Sequence, residues 1–233
     1  MRIPAMKRIT VATIICLVLM LLSSCATGTD ITAKNKDGSP IWTTEIPTSN
    51  RYLYGVGRAK LTMASNSEQA ADAAARADLA KKINVNVKDA LAMYTNESSA
   101  TIVSAFETII VESVNLTMKR VVVEQRWTAP DGTVWSLVSF RIKDLPDLYA
   151  DSANDYLNQL EEKKISTQNK LIELLRELGD SEDADVVELK KLAQEKADGI
   201  LSETEEILRS IDVQAQRNDI SEYLTGNGYD LTD

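Results

Sequence analysis

Hydrophobic positions divide the chain into three stretches with different periods. Ile9 to Leu22 is an unbroken run without a charge, preceded by Arg2, Lys7 and Arg8. From Tyr52 to Ile142 strand-like and helix-like periods alternate. Beyond Pro146 the pattern is helical throughout. Leu157, Leu160, Ile165, Leu171, Leu174 and Leu178 recur on one side, and Gly179–Asp183 interrupts them. Val186, Leu189, Leu192, Ala193, Ile200, Ile207 and Ile211 then resume the period. Two helices of roughly thirty residues joined by a short acidic turn predict an antiparallel hairpin about 45 Å long. Lys164 and Gln168 dilute the first seam, so it is no ideal coiled coil.

The middle stretch predicts smaller elements. Tyr52-Leu53-Tyr54-Gly55-Val56-Gly57 reads as a strand. Ser65 and Glu68 have capping-box spacing, opening a helix with an alanine stripe through Ala70, Ala73, Ala77 and Ala80. Asn84-Val85-Asn86-Val87 switches to period two, predicting a strand that continues to Leu91 and Met93. Ile102, Phe106, Ile109 and Ile110 predict a second helix. Val121–Thr128 and Thr133–Ile142, joined at Pro130-Asp131-Gly132, predict a hairpin. The fold class expected is therefore α+β, a small sheet with two packed helices, followed by the long antiparallel helical hairpin.

The N-terminal run has fourteen residues, Ile9 to Leu22. As a helix it reaches about 21 Å, short of a bilayer core of about 30 Å. Basic flank and short apolar run make it an export signal. Leu22-Ser23-Ser24-Cys25 resembles the bacterial lipobox, which implies cleavage after Ser24 and lipid attachment at Cys25. Ser24 departs from the usual Gly or Ala. An uncleaved membrane anchor and a cysteine placed there by accident are the competing readings. Two or three acyl chains at about 0.8 kcal/mol per buried CH₂ hold a protein on a membrane durably. Ala26, not Asp, follows the cysteine, which by resemblance to lipoprotein sorting implies the outer membrane.

Charge separates the two main regions. Residues 26–145 carry 14 basic and 13 acidic side chains, whereas residues 146–233 carry 9 and 22. The chain gives no basic footprint for nucleic acid. It contains no histidine and only two cysteines, Cys16 and Cys25. Histidine-based nucleophile systems and histidine metal sites are therefore excluded. The domains expected are a signal at 1–24, a tether at 25–39, an α+β domain at 40–145, an acidic hairpin at 146–215 and a flexible tail at 216–233.

Candidate chemistry is sparse. Gly55-Val56-Gly57 follows a strand, but Lys60 stands where a dinucleotide fingerprint needs its third small residue. Close backbone approach is the simpler use of these glycines. Acidic pairs such as Glu161/Glu162 lie on solvated helix edges, unlike the converging carboxylates of a glycosidase. Asp180–Asp185 lacks the central glycine and distal glutamate of a calcium loop, and reads as a polar turn capping the next helix. No metal or cofactor is expected. Trp42, Tyr54, Arg58, Trp127 and Trp135 are either sheet core or a partner surface.

Pro40-Ile41-Trp42, Tyr54-Gly55-Val56-Gly57, the Ala-rich stretch Glu68 to Ala80 and the pair Gln125-Arg126-Trp127 and Asp131-Gly132-Thr133-Val134-Trp135 resemble the Lpp-twenty family of bacterial lipoproteins. The resemblance covers about residues 40–143 and implies location and fold more than activity. The protein expected is a lipid-anchored cell-envelope protein with a structural or interaction role and no catalysis. It would hold the membrane through its lipid and meet an unidentified envelope protein. A part in envelope or flagellar-motor assembly, or binding of a small envelope ligand, are the alternatives.

Overall fold

The computed structural model describes residues 28–96 and 98–233. The signal segment, Ser24 and Cys25 lie outside the described residues. The elements run β1 (Tyr52–Ala59), α1 (Ala64–Ala90), α2 (Ala92–Thr95), α3 (Ala100–Lys119), β2 (Val122–Thr128), β3 (Val134–Arg141), α4 (Leu145–Leu178), α5 (Ala184–Ser210) and α6 (Val213–Gly226). The α+β class holds. Three antiparallel strands stand in the order β1-β3-β2.

Side chains alternate across a strand, so the register sorts the sheet into two faces. Leu53, Gly55 and Gly57 face α1, opposite Phe140, Val138 and Ser136 of β3. The glycines let the helix backbone descend onto the strand: a Cβ on Gly55 would stand 2.3 Å from the Ala75 carbonyl oxygen. The outer edge of β1 is also closed by α1. Asp78 accepts the Val56 N–H at 3.1 Å, and Lys82 donates to the Tyr54 carbonyl at 2.8 Å. Side chains thus occupy the backbone groups that an added strand would use.

Helix α1 departs from the sequence expectation in three ways. It continues through Asn84–Val87, where a strand was predicted. Its buried stripe is Ala71, Ala75, Leu79, Ile83 and Val87, continued by Leu91, every fourth residue. Burial along that stripe overrides the β-branched period of Val85 and Val87, and Val85 stays half exposed. Ala73 and Ala77 lie on the solvent side, so the alanine stripe read from sequence is the wrong one. No capping box forms either. The helix starts at Ala64, and Ser67 instead accepts the Leu61 N–H at 2.8 Å.

The helical hairpin forms as expected from α4 and α5, turning at Gly179, whose φ is +55°. Its base belongs to the same core as the sheet. Leu145, Leu148, Tyr149 and Ala153 of α4 are buried with Phe106 and Ile109 of α3 and Phe140 of β3. The expected boundary at residue 145 therefore crosses a continuous core. The tail is not a flexible one. Residues 213–226 form α6, and Ile220 and Leu224 are fully buried. The turns beyond it strap back onto the start of β1, with Asp230 N–H donating to the Asn50 carbonyl and Arg51 pairing with Asp230 at 2.9 Å. The apolar spacing 220/224 outweighs Gly226, Gly228 and the acids that suggested fraying.

Residues 28–39 are likewise more than a tether. They form turns bound to the domain: Thr29 N–H donates to Thr48, and Asn35 N–H to Ser39. Gln125 on β2 fastens this segment to the sheet face opposite α1. It donates to the Ile31 carbonyl at 3.2 Å and accepts the Trp42 indole N–H at 2.9 Å. The sheet is thus covered on one side by helices and on part of the other by the N-terminal segment.

Candidate functional site

Five side chains were singled out as a partner surface, and the structure brings three of them together. Arg58 pairs with Trp135, and Trp135 pairs with Trp127, across the three strands. All three therefore lie in one row on the face opposite α1. The Arg58 guanidinium sits 5.3 Å from the Trp135 ring centroid, a cation–π geometry. Both indoles are half-buried, while Arg58 is exposed. Arg58 makes no hydrogen bond or ion pair among the described residues.

Trp42 does not belong to this surface. It is 1% exposed, and its indole N–H is satisfied by Gln125. It is the core anchor of the N-terminal segment, because a buried indole needs both packing and one acceptor. Tyr54 shares the sheet face but opens into another hollow of about 380 Å³, beside Tyr52, Lys82 and Tyr229. Burial pushes its phenol above the usual range.

The Arg58 row forms the floor of an open groove of about 460 Å³. Two acidic residues stand at its rim, Asp37 from the N-terminal segment and Asp131 from the β2–β3 turn. Each closes a small turn. Asp37 accepts the Ser39 hydroxyl at 2.6 Å and backbone N–H at 3.0 Å. Asp131 accepts the Thr133 N–H at 3.0 Å and hydroxyl at 2.9 Å. These bonds hold both carboxyls below the usual range: the Ser39 hydroxyl leads for Asp37, and the Thr133 backbone N–H for Asp131. Both rim groups are therefore anionic acceptors at neutral pH.

Neither acid was singled out from sequence. A signal was present, since Asp37-Gly38-Ser39 and Asp131-Gly132-Thr133 are the same pattern. An Asp two residues before a Ser or Thr invites this turn, and both glycines take positive φ, +84° and +85°. The acidic run at 180–185 has a structural use: Asp183 caps α5 by accepting the Asp185 N–H at 2.9 Å. Among the described residues no group of three acidic or cysteine side chains converges as a metal site would. Cys25, the expected lipid site, and Ser24 lie outside the described residues.

Residues 40–140 match the family model of LPP20 lipoprotein. No curated protein matches the chain. A solved structure, the secreted protein HP1454 from the human pathogen Helicobacter pylori, aligns at 18% identity and a TM-score of 0.23. The alignment covers 68% of this chain and 52% of that protein, so the chain spans about half its length. The matched residues 40–140 contain β1, β2, all of β3 but its last residue, α1, α3 and the Arg58–Trp135–Trp127 row, so this part of the chain is similar to the LPP20 lipoprotein family.

Proposed function

We propose that the protein is a lipid-anchored component of the bacterial cell envelope that works by binding a partner, without catalysis. Cys25 carries the lipid, and the absence of Asp after it favours the outer membrane. The observation that carries the binding role is the Arg58–Trp135–Trp127 row. It places two half-buried indoles and a guanidinium that is unpaired among the described residues at the floor of an open groove. Trp and Arg are the side chains that most often dominate binding energy. The hollow beside Tyr54 favours a small-ligand role less, since its Lys82 is already paired with Asp78 and the Tyr54 carbonyl.

Two measurements test this reading. Cys25→Ala should abolish labelling by radioactive palmitate and leave an unprocessed precursor; unchanged labelling would end the lipoprotein assignment. A photo-crosslinking amino acid in place of Thr44, at the groove rim, should give adducts in intact cells. Trp127→Ala with Trp135→Ala should remove them. No adduct from the unsubstituted groove would end the binding assignment.

A further inference from the structure

We infer that the groove over Arg58, Trp135 and Trp127 takes a glycan chain bearing carboxylates, an inference that rests on the binding role proposed above and names its ligand. Direction is the first argument. The row crosses the strands, from β1 through β3 to β2. A chain lying along it crosses the sheet and does not extend it. At the edge of β1, Asp78 and Lys82 already take the Val56 N–H and the Tyr54 carbonyl, two of the groups an added strand would pair with. Neighbouring strands stand about 4.8 Å apart, close to the advance of one pyranose ring along a glycan. The row, in which the Arg58 guanidinium covers one face of Trp135, sets its side chains at about the interval at which sugar rings repeat.

Chemistry is the second argument. The C–H-rich face of a sugar ring carries partial positive charge and stacks on the negative face of an indole. The rim supplies what the hydroxyl edge needs. Asp37 and Asp131 are held ionised by their own turns and accept hydrogen bonds only. Thr44 and Thr133 stand beside them. A proline-rich segment is the other ligand that seeks paired aromatics, but it presents carbonyl acceptors and few donors, so its backbone would face two carboxylates. Sugar hydroxyls donate as well as accept.

Arg58 supplies the third argument. Stacked on Trp135 and free of partners among the described residues, it keeps its N–H donors available for a bidentate anion. Asp131 at the rim is itself paired with Lys60 at 3.5 Å, so among the described residues lining the groove Arg58 is the cation left for a bound negative charge. A carboxylate-bearing sugar satisfies all three features together. In the envelope, the cell-wall glycan has this chemistry, with pyranose rings in series and free carboxylates on the peptide stems attached to them.

The test uses the full mature chain in detergent with two probes, purified peptidoglycan sacculi and the neutral tetramer of N-acetylglucosamine. The chain has three tryptophans, and Trp42 is buried, so a change in emission on binding reports Trp127 and Trp135. Sacculi should co-sediment the protein. Trp127→Ala and Trp135→Ala should each weaken this about tenfold, the loss of about 1.4 kcal/mol. Arg58→Gln should weaken binding to sacculi about as much, yet leave the tetramer unaffected. Circular dichroism melts show that each variant is folded; should Trp135→Ala fail to fold, Trp135→Tyr and Arg58→Gln carry the test. Sacculus binding unchanged by all these variants would overturn the inference. So would a proline-rich peptide that shifts the emission when neither glycan probe does. No sacculus binding together with persistent groove-dependent crosslinks to an envelope protein would overturn the glycan and leave the binding role standing. Loss of both would overturn both.

Discussion

Gly57 lies directly beneath Ala75: a Cβ on Gly57 would stand 2.2 Å from the Ala75 backbone nitrogen and 2.4 Å from the Ala71 carbonyl oxygen. The obstruction is helix backbone, which cannot rotate aside as a side-chain tip can. Gly57→Ala must therefore lift α1 from β1, and overpacking of this kind costs about 1–3 kcal/mol. Gly199→Ala is the control. It sits inside α5 with nothing within 4 Å of the added carbon, and should stabilise by about 0.5–1 kcal/mol through helix propensity. Urea denaturation of the two variants checks the pair; equal stabilities would show that α1 does not need the bare strand.

Leu224 ties the C-terminal helix to the core. It is fully buried, as is Ile220 one turn earlier, and Tyr229 and Leu231 pack against the same cluster. Leu224→Ala should cost about 2–5 kcal/mol, the range for truncating a buried leucine. For the same reason a chain ending at residue 212 should lose its cooperative thermal transition or melt far lower. A truncated chain melting with the full one would make α6 an ornament on an independent domain.

Legibility followed how local the deciding contacts were. The helical hairpin and the β2–β3 turn were readable because period and turn residues lie within one segment. The Gly-x-Gly of β1 was read as a close approach, and that is its use. Val85 and Val87 misled, because a two-residue alternation was visible while the i, i+4 stripe from Ala71 to Leu91 had to be followed across six turns. Trp42 could not be assigned without knowing that residues 28–47 fold over the sheet. Its partner, Gln125, lies 83 residues away. The Arg58 row depends on strand register, which puts β1 against β3 across the intervening helices. Residue type named Arg58, Trp127 and Trp135, and only the register showed that they meet.

Asp72 on α1 ties the helix to two strands of the sheet. Arg126 of β2 grips it with two donors, at 2.9 and 2.6 Å, and the buried Ser136 hydroxyl of β3 donates at 2.7 Å. The Arg126 donors in the first place, with Ser136, hold its carboxyl below the ordinary value of 3.8. A carboxyl depressed in the folded state adds stability above its unfolded pKa and loses it as pH falls through the folded value. Asp72→Asn should thus be less stable than the parent by about 1.5 kcal/mol at pH 7. The gap should shrink as pH drops below about 4. Urea midpoints across that interval decide it; a gap independent of pH would assign the effect to shape and not to charge.

The helical hairpin should open from its tip while its base stays shut. At the base, Leu160 of α4 and Thr204, Ile207 and the following Ile211 are buried. Towards the tip, Ala197 is the last buried side chain, and Ile165, Ile172, Leu189 and Leu192 are each about half exposed. Helices of this length persist through packing more than through propensity, and towards the tip Leu171 and Leu174 face Ala193 and Ala197 and stay only partly buried. The ion pair of Lys164 with Glu205, at 2.9 Å, stands where the two halves of the hairpin meet. It is partly exposed, and solvent screens it. Amide hydrogen exchange should therefore show protection falling from the base at residues 148–160 and 204–211 to the tip at residues 170–195, through local openings well below the global unfolding free energy. Removing the pair with Lys164→Met should move the boundary of weak protection by no more than a turn, since apolar burial sets it. Uniform protection along both helices would mean that the half-exposed leucines and isoleucines are covered in solution, and a tip-directed association of the chain would then have to be sought by measuring exchange as a function of protein concentration.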